Sequence, residues 1–248
     1  MQESKININR IHFLYEALVK RHASLEETYH AILNEGLKAF NLSLGIISQI
    51  EGDCYSLLAV SPTGNDISAG MIFELKNTYC QRVITERRII SVEHAGKHLG
   101  FNTHPVYIVM RPESYISSPI WVRENIWGTL NFSSTQIRTV PFSEDDYEFI
   151  SLMAEGLGSL IEMSLLISEN ETVISALRKN NDILESIFKN STIGMALVAP
   201  AGLWMKVNSS LTHMLGYTED YLLSINFQNI THPDDLTTDL QLLEALSK

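Results

Sequence analysis

The chain has 248 residues, 45% of them hydrophobic, and a formal net charge of -11. That length suits one large domain or two small ones, and the acidity argues against nucleic acid or an anionic membrane as a partner. No uninterrupted apolar run approaches the roughly 18 residues of a membrane span, and the polar start MQESKININR lacks the apolar core of an export signal. Two cysteines, Cys54 and Cys80, are too few for a disulfide framework, so reduced thiols and a cytoplasmic location are expected.

In chain order, residues 7–22 are predicted helical, with Ile11, Leu14, Tyr15 and Leu18 on one side. Ser24 and Glu27 make a capping-box pattern, and the helix they open carries Leu25, Tyr29, Ile32, Leu33, Leu37 and Phe40 on one stripe. Two apolar runs, 42–50 and 54–60, flank the turn Glu51-Gly52-Asp53 and predict an antiparallel pair. A polar loop over 61–70 leads to a short strand at 71–75. A short helix at 78–86 turns Cys80, Val83 and Ile84 inward, and another short strand follows at 89–92. Residues 93–110, with three His, two Gly and a Pro, are expected to be irregular.

A hairpin follows, with strands 114–122 and 126–132 around Arg123-Glu124-Asn125. Asn125 is expected to take the positive φ. Alternation puts Ile126, Gly128, Leu130 and Phe132 on a core face. It puts Trp127, Thr129 and Asn131 on the other, which suits a pocket wall or a half-solvated face.

From Ser143, an N-cap followed by Glu144, Asp145 and Asp146, a helix is predicted to about Phe188. Its second half carries Leu160, Met163, Ile167, Asn170, Ile174, Leu177, Asn181, Leu184 and Phe188 at alternating steps of three and four, the spacing of a paired coiled coil. Two helices broken near Ser168–Glu171 are the alternative. Beyond it come two strands (195–198 and 204–207), then a helix capped by Asn208 and ended by Gly216. A second short helix is capped by Thr218, and a last one opens at His232-Pro233-Asp234-Asp235. Two strands make a marginal sheet, so this second module reads as incomplete. The expected class is α+β, an antiparallel sheet with helices from both ends of the first module on one face.

Residues 71–162 resemble a GAF domain. The likeness is carried by Phe73-Glu74-Leu75, Thr78-Tyr79-Cys80, His104-Pro105-Val106-Tyr107, Pro119-Ile120-Trp121-Val122, Trp127-Gly128-Thr129-Leu130-Asn131-Phe132-Ser133 and Pro141-Phe142-Ser143. Residues 184–248 resemble the first half of a PAS domain, through Gly194-Met195-Ala196-Leu197, Val207-Asn208, Leu215-Gly216-Tyr217-Thr218 and His232-Pro233-Asp234-Asp235. The resemblance implies a GAF sensor over 1–165, a connecting helix over 166–186 and the start of a PAS domain over 187–248. It implies a homodimeric piece of a bacterial signalling receptor. A histidine kinase or diguanylate cyclase output is expected further along the same polypeptide, and no catalysis in the piece itself. A ligand-free GAF serving as dimerisation spacer is the alternative.

Arg111, Tyr115, Ser118, Trp127 and Asn131 are the candidate ligand-binding residues, an Arg for an anionic group and aromatics for a ring. Cys80 joins them as a candidate sensing thiol, although a buried inert Cys is the plainer reading. Bilin-attaching GAF domains usually carry Cys-His; here Gln81 follows Cys80 and Tyr55 follows Cys54, so no covalent chromophore is expected. His104, which matches the His-Pro of this GAF type, is a further candidate ligand-binding residue, although a loop-packing role is the plainer reading. His94, His98 and His104 fall at no metal-site spacing, so no metal is expected. No phosphate loop or G-x-S-x-G is present, and the resemblance leaves ligand and cofactor unknown.

Overall fold

A computed structural model of the chain describes residues 24–63 and 66–237. The helix expected at 7–22 lies outside them, and of the last helix only 233–237 falls inside. The first helix, α1 (Leu25–Phe40), starts where Ser24 Oγ accepts from the Glu27 N–H at 3.2 Å, and ends at Asn41 in the left-handed region. Six strands follow: β1 (Leu44–Glu51), β2 (Cys54–Ser61), β3 (Ile72–Glu74), β4 (Ile90–Val92), β5 (Ser114–Val122) and β6 (Asn125–Ser134). They form one antiparallel sheet in the order β3-β2-β1-β6-β5-β4. Two short helices interrupt them, α2 (Cys80–Glu86) and α3 (Pro105–Met110), and α4 (Glu144–Asn190) closes the run.

The sheet separates two apolar clusters. On one face α1 and α4 bring Ile32, Leu33, Phe40, Phe149, Ile150, Met153 and Leu157 onto Ile47, Ile116, Leu130 and Phe132. This is the two-ended helical cover that the residue pattern predicts. On the other face Ile46, Tyr55, Leu57 and Tyr115 meet Tyr79, Cys80 and Val83 of the α2 segment and Phe101 of the loop before α3.

Three expectations are corrected. Residues 93–110 are not irregular throughout, because His104 N-caps α3 with Pro105 in its first turn. Proline costs nothing there, since its missing N–H would have had no partner. In the β5–β6 hairpin Val122 pairs with Asn125, so the loop is Arg123-Glu124, and Arg123 rather than Asn125 takes the positive φ (56°). Finally, Ile120 pairs with Gly128 but Trp121 with Ile126, which leaves Trp127 unpaired in a bulge. The bulge reverses the alternation, so Trp127 packs against the helix-covered core.

Helix α4 is unbroken over 47 residues, about 70 Å at 1.5 Å per residue. Its start is a reciprocal cap: Ser143 Oγ accepts from Asp146 N–H (3.2 Å) and Asp146 Oδ2 from Ser143 N–H (3.0 Å). Arg138 reinforces it, donating to Asp146 Oδ2 at 3.4 Å and to the Phe40 carbonyl at the end of α1 at 2.6 Å. Gly158 lies against strand β5 rather than a neighbouring helix; a Cβ there would meet the Trp121 carbonyl oxygen at 2.1 Å. One 18-residue window of α4 has mean hydropathy 1.5 and passes a membrane-span test by length and composition, with a third of it buried in the protein. Isolated polar residues interrupt this window, so it holds no long uninterrupted apolar run although its mean stays high.

The chain divides into two compact units between Ile167 and Ser168. In the second, β7 (Ala196–Val198) pairs with β8 (Trp204–Val207), followed by α5 (Ser209–Leu215) and α6 (Glu219–Leu223). Asn208, 2% exposed, uses its whole amide. Oδ1 accepts from the Leu211 and Met195 N–H groups, and Nδ2 donates to the Phe188 and Ile193 carbonyls. The residue predicted as a helix cap therefore also ties the end of α4 to β7.

Candidate ligand-binding site

Between the β1-β2-β6-β5 surface and the α2 and α3 segments lies a cavity of about 430 Å³, within the range of small-molecule sites. Its walls are mostly aliphatic, with Leu44, Ile46 and Leu57 from the sheet and Val106, Val109 and Met110 from α3.

The buried end is polar. Tyr55, Cys80, Tyr115 and Asn131, each no more than 4% exposed, line it together. Cys80 brings its sulfur there because α2 begins at Cys80 and packs this first turn on the sheet. The thiol lies 3.5 Å from the Tyr55 hydroxyl and 3.3 Å from the Tyr115 hydroxyl. It accepts from Thr129 Oγ1 (3.2 Å) and Asn131 Nδ2 (3.6 Å). Asn131 Nδ2 also donates to Tyr55 Oη at 3.0 Å, and Ser48 shares a 2.8 Å hydrogen bond with Thr129. Burial, and secondarily the neighbouring thiol, push the phenols of Tyr55 and Tyr115 well above the ordinary range, so both stay neutral and keep their protons.

The seven candidate residues separate. Cys80, Tyr115 and Asn131 meet in the cavity wall. His104 stands beside it: Nδ1 accepts from Val106 N–H at 3.3 Å, and the ring packs 5.1 Å from that of Tyr79. Burial, then the charge of Arg82, lowers its pKa, which favours the neutral ring the cap needs. Arg111 ends α3 with φ 49°, its N–H bonded to the Tyr107 carbonyl; its neighbours Met110 and Pro112 line the cavity while it does not. Ser118 is buried away from the cavity, donating to the Pro119 carbonyl. Trp127 is carried off by the bulge. Tyr55 escaped the sequence reading, although alternation in the first half of β2, before the irregularity at Leu58, places it with Leu57 opposite the helix-covered face.

The segment that roofs the cavity is held by Glu113. Its carboxylate accepts from Tyr107 Oη at 2.6 Å and from Gly96 N–H at 3.1 Å, with His94 Nε2 at 3.8 Å. Burial alone would raise this carboxyl, but those hydrogen bonds and the charges of His94 and Arg111 outweigh it and hold the pKa below the ordinary value. Among the described residues no group of three or more His, Cys, Asp or Glu side chains gathers in a metal-holding arrangement.

An antiparallel six-stranded sheet, covered by the first and last helices on one face and enclosing a cavity on the other, defines the class of small sensory α+β domains. The GAF domain family model matches residues 24–161, and the chain belongs to that family, whose domains serve as sensory elements of signalling proteins. Among similar solved structures, the GAF domain of an Acinetobacter phosphoenolpyruvate-protein phosphotransferase superposes with TM-score 0.55 at 18% identity, covering 66% of this chain and 97% of that one. The phycoerythrobilin-bound GAF domain of a cyanobacterial phytochrome superposes with TM-score 0.54 at 15% identity, covering 66% and 99%. At these identities the likeness is one of fold. A probable diguanylate cyclase of Escherichia coli, DgcE, is 43% identical over 73 residues, 28% of this chain and 7% of that protein. The chain therefore spans only a small part of the length of that relative.

Proposed function

We propose that this chain is the sensory input region of a cytoplasmic, dimeric signalling protein that binds a small molecule in the GAF cavity and passes the change along α4. The observation that carries the reading is the cavity of about 430 Å³, whose buried end gathers hydrogen-bonding side chains from three strands and one helix. A sheet face serving only as packing would have filled that volume with side chains, since interiors are otherwise close-packed. That a cyanobacterial phytochrome domain of the same fold is bound to phycoerythrobilin supports a small-molecule ligand here.

Transmission is proposed through α4 because its first part, through Ile161, is core of the sensor. Beyond it Met163, Ile167, Ile174, Leu177 and Leu184 are 48–65% exposed along one stripe. A second copy covering this stripe would make a parallel pair whose small rotation could reach an output domain. Asn170 and Asn181 on the same stripe would set register. Residues 187–248 are read as the first part of a PAS domain, and a diguanylate cyclase output is favoured over a histidine kinase by the short high-identity match to DgcE. The piece itself is read as regulatory rather than catalytic.

Mass spectrometry of the denatured, gently purified protein tests the ligand reading. A molecule released stoichiometrically from the wild type, and lost when Val106→Trp fills the cavity, is expected. A protein that carries nothing and is not stabilised by any member of a metabolite collection would favour the spacer alternative.

A further inference from the structure

The cavity has two chemically distinct ends. Towards solvent, Phe73 of β3 and Val109 and Met110 of α3 belong to its wall while remaining 41%, 82% and 40% exposed, so its mouth is largely apolar, with Asn77 beside them. Its buried end holds two phenols, a thiol and an amide. Among the described residues, no Asp, Glu, Lys, Arg or His lines the cavity. Of the charged groups nearby, Arg111 sits between Met110 and Pro112 without lining the cavity, and two others are committed elsewhere. Arg82 lies over the Phe101 ring and pairs with Glu86, and Glu113 holds Tyr107 and Gly96.

Hydrogen-bonding capacity is left over at the buried end. Asn131 spends its amino group on Tyr55 and Cys80, while its Oδ1 accepts from nothing among the described residues. The single S–H of Cys80 can satisfy only one of the two phenol oxygens beside it. A phenol O–H directed at sulfur has a weak acceptor, and gains by turning to a ligand oxygen.

We infer that the site takes an uncharged, predominantly apolar small molecule that turns one hydrogen-bonding group, an amide, hydroxyl or ketone, toward Tyr115 and Asn131, and that it excludes carboxylates and phosphates. An anion entering here would give up its hydration with no counter-charge to meet it. A purely apolar molecule would leave Asn131 Oδ1 and the phenol protons without a better partner than they have now. The neutral state of both phenols adds no charge of either sign. The inference rests on the cavity being the ligand site, as proposed above.

Three near-isosteric probes separate the possibilities: naphthalene-2-carboxamide, naphthalene-2-carboxylate and 2-methylnaphthalene. They are used on the full chain carrying Cys54→Ser, which leaves Cys80 its single thiol. Affinity by calorimetry at neutral pH is read beside protection of Cys80 from a neutral alkylating reagent. The carboxamide is expected to protect Cys80 and to bind at least about ten-fold tighter than the carboxylate, because only the anion carries an unmet desolvation penalty. Tyr115→Phe is expected to reduce the advantage of the carboxamide over 2-methylnaphthalene, with the melting temperature and circular dichroism of the variant checking that it folds. A carboxylate that protects Cys80 and binds as tightly as the carboxamide overturns the inference and leaves the cavity standing as a site. A hydrocarbon that binds as well as the carboxamide overturns the part that assigns Tyr115 and Asn131. If none of the three protects Cys80, the cavity reading itself falls.

Discussion

Glu113 shows how one side chain can organise a loop that the sequence leaves shapeless. It satisfies the Tyr107 hydroxyl of α3 and the Gly96 N–H of the preceding turn, and so holds two segments of the 93–110 stretch together. Its carboxyl titrates below the ordinary value of 4.5. A group depressed in the folded state contributes stability that is fully present above its unfolded pKa and is lost as pH falls through the folded one. Glu113→Gln should therefore melt below the wild type at neutral pH, and the two melting temperatures should converge as pH drops below about 4.5. A constant gap across that range would dissociate the loop from the charge of Glu113. Arg138 plays the comparable part on the other face of the sheet. One nitrogen of its guanidinium satisfies the last carbonyl of α1 and another the capping Asp146 of α4, with Cζ 4.4 Å from the centroid of the Phe142 ring.

Among the elements, α4 carries two different sequences end to end. Through Ile161 its apolar residues face the sheet. Beyond that its apolar positions widen to include Leu166, Val173 and Ile187 beside the stripe, all exposed in one chain. Gly158 marks the tight seat of the first part. Gly158→Ala should destabilise despite the better helix propensity of Ala. The propensity gain is about 1 kcal/mol, whereas displacing the Trp121 carbonyl in a close-packed core costs about 1–3 kcal/mol. The denaturation midpoint of the variant measures the balance, and an increase would mean the strand can withdraw without cost. The bulge at Trp127 belongs to this scale too. A single unpaired residue in β6 puts Trp127 on the helix-covered face, and no feature of the hairpin sequence announces it.

At the scale of the whole molecule, the sensor is a sheet with a closed face and a hollow one. The closed face is continuous with the helix that leaves the domain. The dimerisation proposed along that helix predicts that Ile174→Glu or Leu177→Glu shifts the sedimenting species from dimer toward monomer. Each removes about 1.5–3 kcal/mol of apolar burial per chain and sets carboxylates against each other in the seam. An unchanged dimer would move the interface off this stripe.

Apart from α3 and its His104 cap, the described helices, the strand order along the chain and their caps were legible in the sequence, because they depend on local signals: Ser24, Ser143, Asn208 and Thr218 at helix starts, Gly216 at a helix end, and period-two alternation in the strands. The GAF likeness followed from runs such as 127–133. What the sequence left open depended on pairing between distant segments. It brought Cys80, Tyr115 and Asn131 under suspicion, but only the sheet register placed Tyr55 beside them and gave the thiol its four polar neighbours. Only the bulge took Trp127 away. Local chemistry determines which elements form. Whether a side chain meets a cavity or a core is decided by which strand lies opposite, and a shift of one residue reverses the answer.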